Sequence, residues 1–334
     1  MSPAPQHGEP GRRTRVVLAV WLGLAAALSA CSGRDTPAAS ASLITIPARN
    51  ATAGDTLLTL APAGAQVVAE LDLARLRDNP AVGPVLSALG ESDGDIAGVR
   101  DLAAPFGGFE QAVIQRADAL LLCAYRVGSD EATALILLAG RQLAQLPVVA
   151  ARGRQVRPAR DGAAAVWAVG PDDLLARAEA VVRGEESAMT EDRALLAIRT
   201  RAMPAAADSA SLRVAARLDF DARVALAARF DLDHVPVAMS LWGDVIDDLA
   251  VVAAAEGADL GETRELMSSL KRMVGHLAAV PWVRRNYLHF VLSTIDVTRR
   301  GLSARATLVI GPSRLTRLMR RAAGQLATPR QPRP

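Results

Sequence analysis

Two phrases occur twice in this chain, in the same order and at nearly the same interval. "AELDLARL" at Ala69 to Leu76 returns as "ARLDFDARV" at Ala216 to Val224, and "AVGPDDLLARA" from Ala168 returns as "VIGPSRLTRLM" from Val309. A supersecondary phrase used twice points to a body assembled from one unit and its copy. The first phrase reads as a strand running into a helix, with apolar residues from Val67 to Leu71 and then Leu73 and Leu76 at helical spacing. The second ends a strand on Gly-Pro; Pro171 and Pro312 fall in a first helical turn, where a missing N–H costs nothing. Between them, "ADALLLCAYRV" and "ATALILLAG" are apolar runs split by the polar "GSDE", the pattern of a hairpin, and "DDLAVVAAAEGADL" is similar to the first run with its turn. The segment from Leu260 to Val280 is the clearest amphipathic helix, with Leu266, Met267, Leu270, Met273, Val274 and Leu277 on one face. The expectation is an α+β fold of two tandem copies of a strand–helix–hairpin–helix–strands–helix unit, at 59–200 and 201–327, followed by a disordered tail at 328–334.

What precedes the first copy has a different composition. Arg12, Arg13 and Arg15 form a basic start, and Val16 to Ala30 is an unbroken apolar and small-residue stretch. At about fifteen residues it is too short to cross a ~30 Å hydrocarbon core as a helix, which is the pattern of an export signal at 1–30. From Ser32 onward the chain is rich in Ala, Ser, Thr, Gly and Pro and offers little to bury, so 31–58 reads as a flexible tether. Leu28-Ser29-Ala30-Cys31 resembles the lipobox of bacterial lipoproteins. That resemblance implies cleavage before Cys31 and a diacylglycerol thioether on its thiol. It also implies an outer-membrane anchor facing the periplasm in a cell with two membranes, since Ser32 is not the Asp of inner-membrane retention. In the body, "PAGAQVV" at Pro62 to Val68 resembles the openings of uncharacterised exported lipoproteins of high-GC bacteria, a likeness that implies no chemistry.

The chain has 38 basic and 35 acidic residues, but the signal holds three of the arginines and Glu9, which leaves the rest near neutral. No global charge argues for nucleic acid. With Cys31 acylated, Cys123 in "DALLLCAYRV" is a single thiol that can form neither an internal disulfide nor a cysteine metal site, and it reads as a small buried hydrophobe. Ser268-Ser269-Leu270-Lys271 matches S-x-x-K, yet Lys271 is the only lysine, so the K-T-G partner of that chemistry cannot exist. Asp231, Asp233 and His234 precede Pro236 as a capping loop, Glu91 to Asp95 lacks the glycine of a calcium loop, and His276 sits on the polar face of its helix. His289 alternates with Tyr287 and Val291, as on a strand. No metal or other cofactor is expected, and no catalytic residue is assigned.

One feature stands out. After Asp296 no acidic residue occurs, while nine arginines follow. On the last helix Arg314, Arg317 and Arg321 share a side opposite Leu315, Leu318, Met319 and Ala322. Such a face suits an anionic lipid or an acidic envelope protein. The functional expectation is a lipid-anchored, non-enzymatic binding or scaffolding module; the alternatives are an envelope hydrolase with a site between the repeats and a carrier of an apolar ligand. Because the thioether forms only on a thiol, Cys31→Ser should release the protein from membranes or leave its signal uncut. Cell fractionation with the mature mass checks this, and unchanged behaviour would remove the lipoprotein reading.

Overall fold

The structure, a computed structural model, describes residues 53–85, 116–145, 154–156, 165–205, 207, 209–230, 233–279, 283–284 and 289–327. Cys31, the signal, most of the tether, the Glu91 to Asp95 turn, Asp231 and the 328–334 tail lie outside them. The fold is α+β, with one antiparallel sheet. Its strands are β1 Val67–Asp72, β2 Ala119–Tyr125, β3 Thr133–Gly140, β4 Arg154–Val156, β5 Ala165–Val169, β6 Leu212–Arg217, β7 Ala238–Val245, β8 Leu249–Glu256, β9 Asp296–Arg300 and β10 Ser303–Ile310. The helices are α1 Ala53–Leu58, α2 Leu73–Asp78, α3 Asp172–Val182, α4 Arg193–Arg201, α5 Phe220–Phe230, α6 Leu260–Ala279, α7 His289–Leu292 and α8 Pro312–Ala327.

The ten strands run in the order β4-β5-β3-β2-β1-β6-β7-β8-β10-β9. Read outward from the β1–β6 seam, each half presents its first, second, third, fifth and fourth strand. Both halves turn from first strand to helix on an aspartate. Asp72 Oδ1 accepts the Arg75 N–H at 2.9 Å, and Asp219 Oδ1 accepts the Ala222 N–H at 2.8 Å. Each satisfies one of the amide groups that a helix start leaves open. The expected hairpin is present as β2 and β3, paired from Ala119↔Ala139 to Tyr125↔Thr133.

The halves differ in what they insert. The first places residues 79–118 between its helix and its hairpin, where the second has only 231–237. The second places α6 and α7 between its third and fourth strands, where the first has a short 3-10 turn at Arg141–Gln145. These insertions nearly cancel, which is why the two repeated phrases keep almost the same spacing. "DDLAVVAAAEGADL" supplies β8, although by order it is β7 that stands where β2 stands. The helices after Gly-Pro also part company. α3 packs Leu174, Leu175 and Ala178 with Leu135, Leu137, Val166 and Ala168, whereas α8 packs Leu315 with Leu241, Val251, Leu308 and Ile310. Strand register puts these two sets on opposite faces of the sheet. α8 follows the buried side of β10, Leu308 and Ile310, whereas β5 is apolar on both faces, Val166 and Ala168 on one and Trp167 and Val169 on the other.

Three sequence expectations are corrected. α1 at Ala53–Leu58 lies inside the stretch read as tether yet belongs to the body, because its Leu57 and Leu58 are 0% and 1% exposed. Burial of this kind contributes about 1.5–3 kcal/mol per leucine, enough to order a segment whose average composition is polar and small. His289 begins the short helix α7 rather than lying on a strand. α4 crosses the expected boundary at 200/201 and packs against β6 and β7, so that boundary does not divide independent bodies. No helix among the described residues is long and apolar enough to cross a membrane. If both aspartate caps are needed, Asp72→Ala and Asp219→Ala should each lower unfolding free energy by about 1 kcal/mol, measured by denaturant titration.

Candidate functional site

α8 starts at Pro312, with the amides of Arg314 and Leu315 donating to the Gly311 carbonyl at 3.1 and 3.0 Å. Leu315 is fully buried, and Leu318 and Met319 are half-buried against the sheet. At 100° per residue this fixes the outward side. Arg317 and Arg320 point most directly away from Leu315, and Arg314 and Arg321 flank them. All four are exposed. This side presents Pro312, Ser313, Thr316, Arg317, Arg320 and Arg321 to solvent. The sequence reading named Arg314, Arg317 and Arg321 and left out Arg320, which lies nearly as far round the helix from Leu315 as Arg317 does.

Four acids of this half are engaged elsewhere. Asp244 accepts from Arg75 at 2.7 Å, Asp233 pairs with Arg272 at 3.2 Å, and Glu262 pairs with Arg223. Asp259 caps α6 through the Glu262 N–H at 2.8 Å. Among the described residues, Arg314, Arg317 and Arg320 form no ion pair, while Arg321 does have an interaction partner. The face is therefore a concentration of positive charge, able to attract anions over about a Debye length.

A second charged group is internal and no spacing rule reveals it. Glu70 on β1 stands opposite Arg213 on β6, in the middle of the central seam. Arg199 from α4 grips Glu70 with both Nε and Nη2, the latter 2.5 Å from Oε2, and also donates to Asp55 of α1. Arg213 Nη1 lies 3.7 Å from Asp55 Oδ1. Glu70, Arg199 and Arg213 are buried. Burial works against the Arg199 charge, yet the hydrogen bond and charge of Glu70, with Asp55 behind them, hold its pKa above the ordinary value. For Arg213, burial and the neighbouring Arg199 pull the pKa down. Gly54 allows this closeness, since a Cβ there would come within 2.7 Å of Glu70 Oε2. Two acids and two guanidiniums close the group electrically, and both Glu70 oxygens are occupied. This arrangement holds α1, α4, β1 and β6 together; it does not present a free acid or base.

The other candidates are dispersed. Ser268 Oγ donates to the Arg264 carbonyl at 2.9 Å on the exposed side of α6, where Lys271 is also exposed. His234 Nε2 lies 2.9 Å from Glu265 Oε2, and His276 is exposed. Cys123 is buried, and burial followed by the Glu70 charge pushes its thiol well above the ordinary 9.0. Among the described residues, no group of three or more His, Cys, Asp or Glu could hold a metal ion.

No protein-family model matches the chain, and no curated protein matches it. A solved structure described as "Structure of crystal form I of TP0453" is similar at a TM-score of 0.40 and 8% identity, over 79% of this chain and 96% of that one. No conclusion about this chain rests on that likeness. The buried charges give a sharper expectation. Glu70→Gln leaves two buried guanidiniums facing one carboxylate and should cost about 3 kcal/mol or more, read from the denaturant midpoint. A loss below about 1 kcal/mol would show that the group is not holding the seam.

Proposed function

We propose that this chain is an exported envelope lipoprotein, acylated at Cys31, whose α+β body is a non-enzymatic binding or scaffolding module. It sits on the outer membrane facing the periplasm in a cell with two membranes. The observation that carries the binding part is the outward side of α8, where Arg314, Arg317 and Arg320 are exposed and unpaired among the described residues. Each arginine near an anionic surface contributes about 1 kcal/mol, so a weak but real affinity for anionic lipid or an acidic envelope protein follows. Arg321 extends the same face. Support for the anchor is the tripartite start ending on Leu28-Ser29-Ala30-Cys31.

The body is further proposed to be two tandem copies of one unit. The mirrored strand order and the matched Asp72 and Asp219 caps support this, and the opposite placement of α3 and α8 marks where the copies have diverged. A crystal structure with a different strand order in either half would overturn it.

The binding reading is tested with the soluble chain that starts after Cys31. It should sediment with anionic vesicles at low salt and come off as salt rises. Joint substitution of Arg314, Arg317 and Arg320 by glutamine should abolish sedimentation while costing under about 0.5 kcal/mol per site in stability. A wild-type chain that ignores anionic vesicles at low salt defeats the reading. Unfolding of the triple variant would instead make these arginines structural.

A further inference from the structure

We infer that the arginine face of α8 docks on the same membrane leaflet that holds the Cys31 acyl chains, as the second contact of a two-point attachment. This rests on the lipid-anchor reading above. Its independent support is geometric. α1 and α8 lie on opposite faces of the sheet, so the body is a helix–sheet–helix sandwich with the tether leaving from one side and the arginines on the other. Three such layers are roughly 30 Å thick, from a helix diameter of 10–12 Å on each side of the sheet. With α8 against headgroups, Ala53 lies on the far face of the sheet, at a height set by that thickness and by the sheet's twist. The chain from Ser32 to Thr52 has a contour length of at most about 70–75 Å. If it is the flexible tether expected from the sequence, it would span about 25 Å root-mean-square. Span and reach therefore match, the condition under which a tethered second contact has its highest effective concentration.

Charge complementarity names the occupant. The face offers guanidiniums from Arg314, Arg317 and Arg320, donors suited to phosphate oxygens. An anchored protein meets phosphate at high density in the headgroups beneath it. A face worth roughly fivefold in affinity per arginine is weak in free solution, but not when the tether holds it within a few nanometres of the surface.

The test uses the mature lipidated chain in vesicles of phosphatidylcholine, with or without phosphatidylglycerol, carrying a headgroup-linked quencher. Ser313→Cys places a single reactive thiol on the outward side of α8, because Cys31 is consumed by its thioether and Cys123 is buried. A fluorophore there should be quenched several-fold more in vesicles containing phosphatidylglycerol than in those without, at about 0.05 M salt. The difference should vanish at high salt and in the Arg314→Gln/Arg317→Gln/Arg320→Gln variant, and vesicles should stay dispersed. Two results overturn the inference. One is arginine-dependent clustering of vesicles, which means the face reaches a second membrane. The other is an unquenched label at low salt, which leaves the face for an acidic protein or for solvent. Failure of the parent reading looks different: a mature mass without lipid, or a soluble chain that never sediments with anionic vesicles.

Discussion

The pairing of β1 with β6 is the contact on which the rest of the molecule depends. It is the one ladder that joins the two halves into a continuous sheet, and it runs antiparallel through Glu70 opposite Arg213. A strand centre is an expensive place for charge, and an isolated ion there would cost several kcal/mol. The cost is met by bringing in Arg199 from α4 and Asp55 from α1, so that four charges from four elements close on one another. Such a group adds little net stability over a well-packed apolar cluster. What it adds is discrimination, since a slipped seam or a displaced α1 leaves an unpaired ion inside.

This dependence explains why α1 is part of the body. Its two leucines fill the core beneath β1, β2 and α3, and its aspartate completes the charge group. The Tyr125 hydroxyl donates to the Pro62 carbonyl at 2.8 Å, and Pro62 bridges to Ala188, so the chain from α1 to β1 is held along its length. The segment nearest the proposed anchor is thus tied to the centre of the sheet.

Much of the architecture was legible in the residues. Strand-to-helix turns at Asp72 and Asp219, the β2–β3 hairpin and the Gly-Pro helix starts all depend on neighbours in sequence, and local pattern reports local structure. The buried charges were not legible, because Asp55, Glu70, Arg199 and Arg213 meet only through tertiary contact. A charged residue in the middle of "VVAELDL" and another in "LRVAAR" were the available signals, though neither names its partner. The side of the sheet taken by α8 was hidden for a related reason. Periodicity shows that a helix has an apolar stripe but not which surface receives it. For the arginine face the stripe was visible, and the helical spacing that opposes Leu315 places Arg320 beside Arg317 within it.

The strand order has one more consequence. An open sheet of ten strands ends in two edges, and here the fourth strand of each half, β4 and β9, takes that position. Unpaired edges invite growth by addition of another chain's strand. β9 exposes Thr298, Arg299 and Arg300 in succession. A second copy added in antiparallel register along this edge would bring like guanidiniums together across the new ladder, where opposed like charges are destabilising. Wherever copies of the chain meet, that short run of cations disfavours growth of the sheet at this edge.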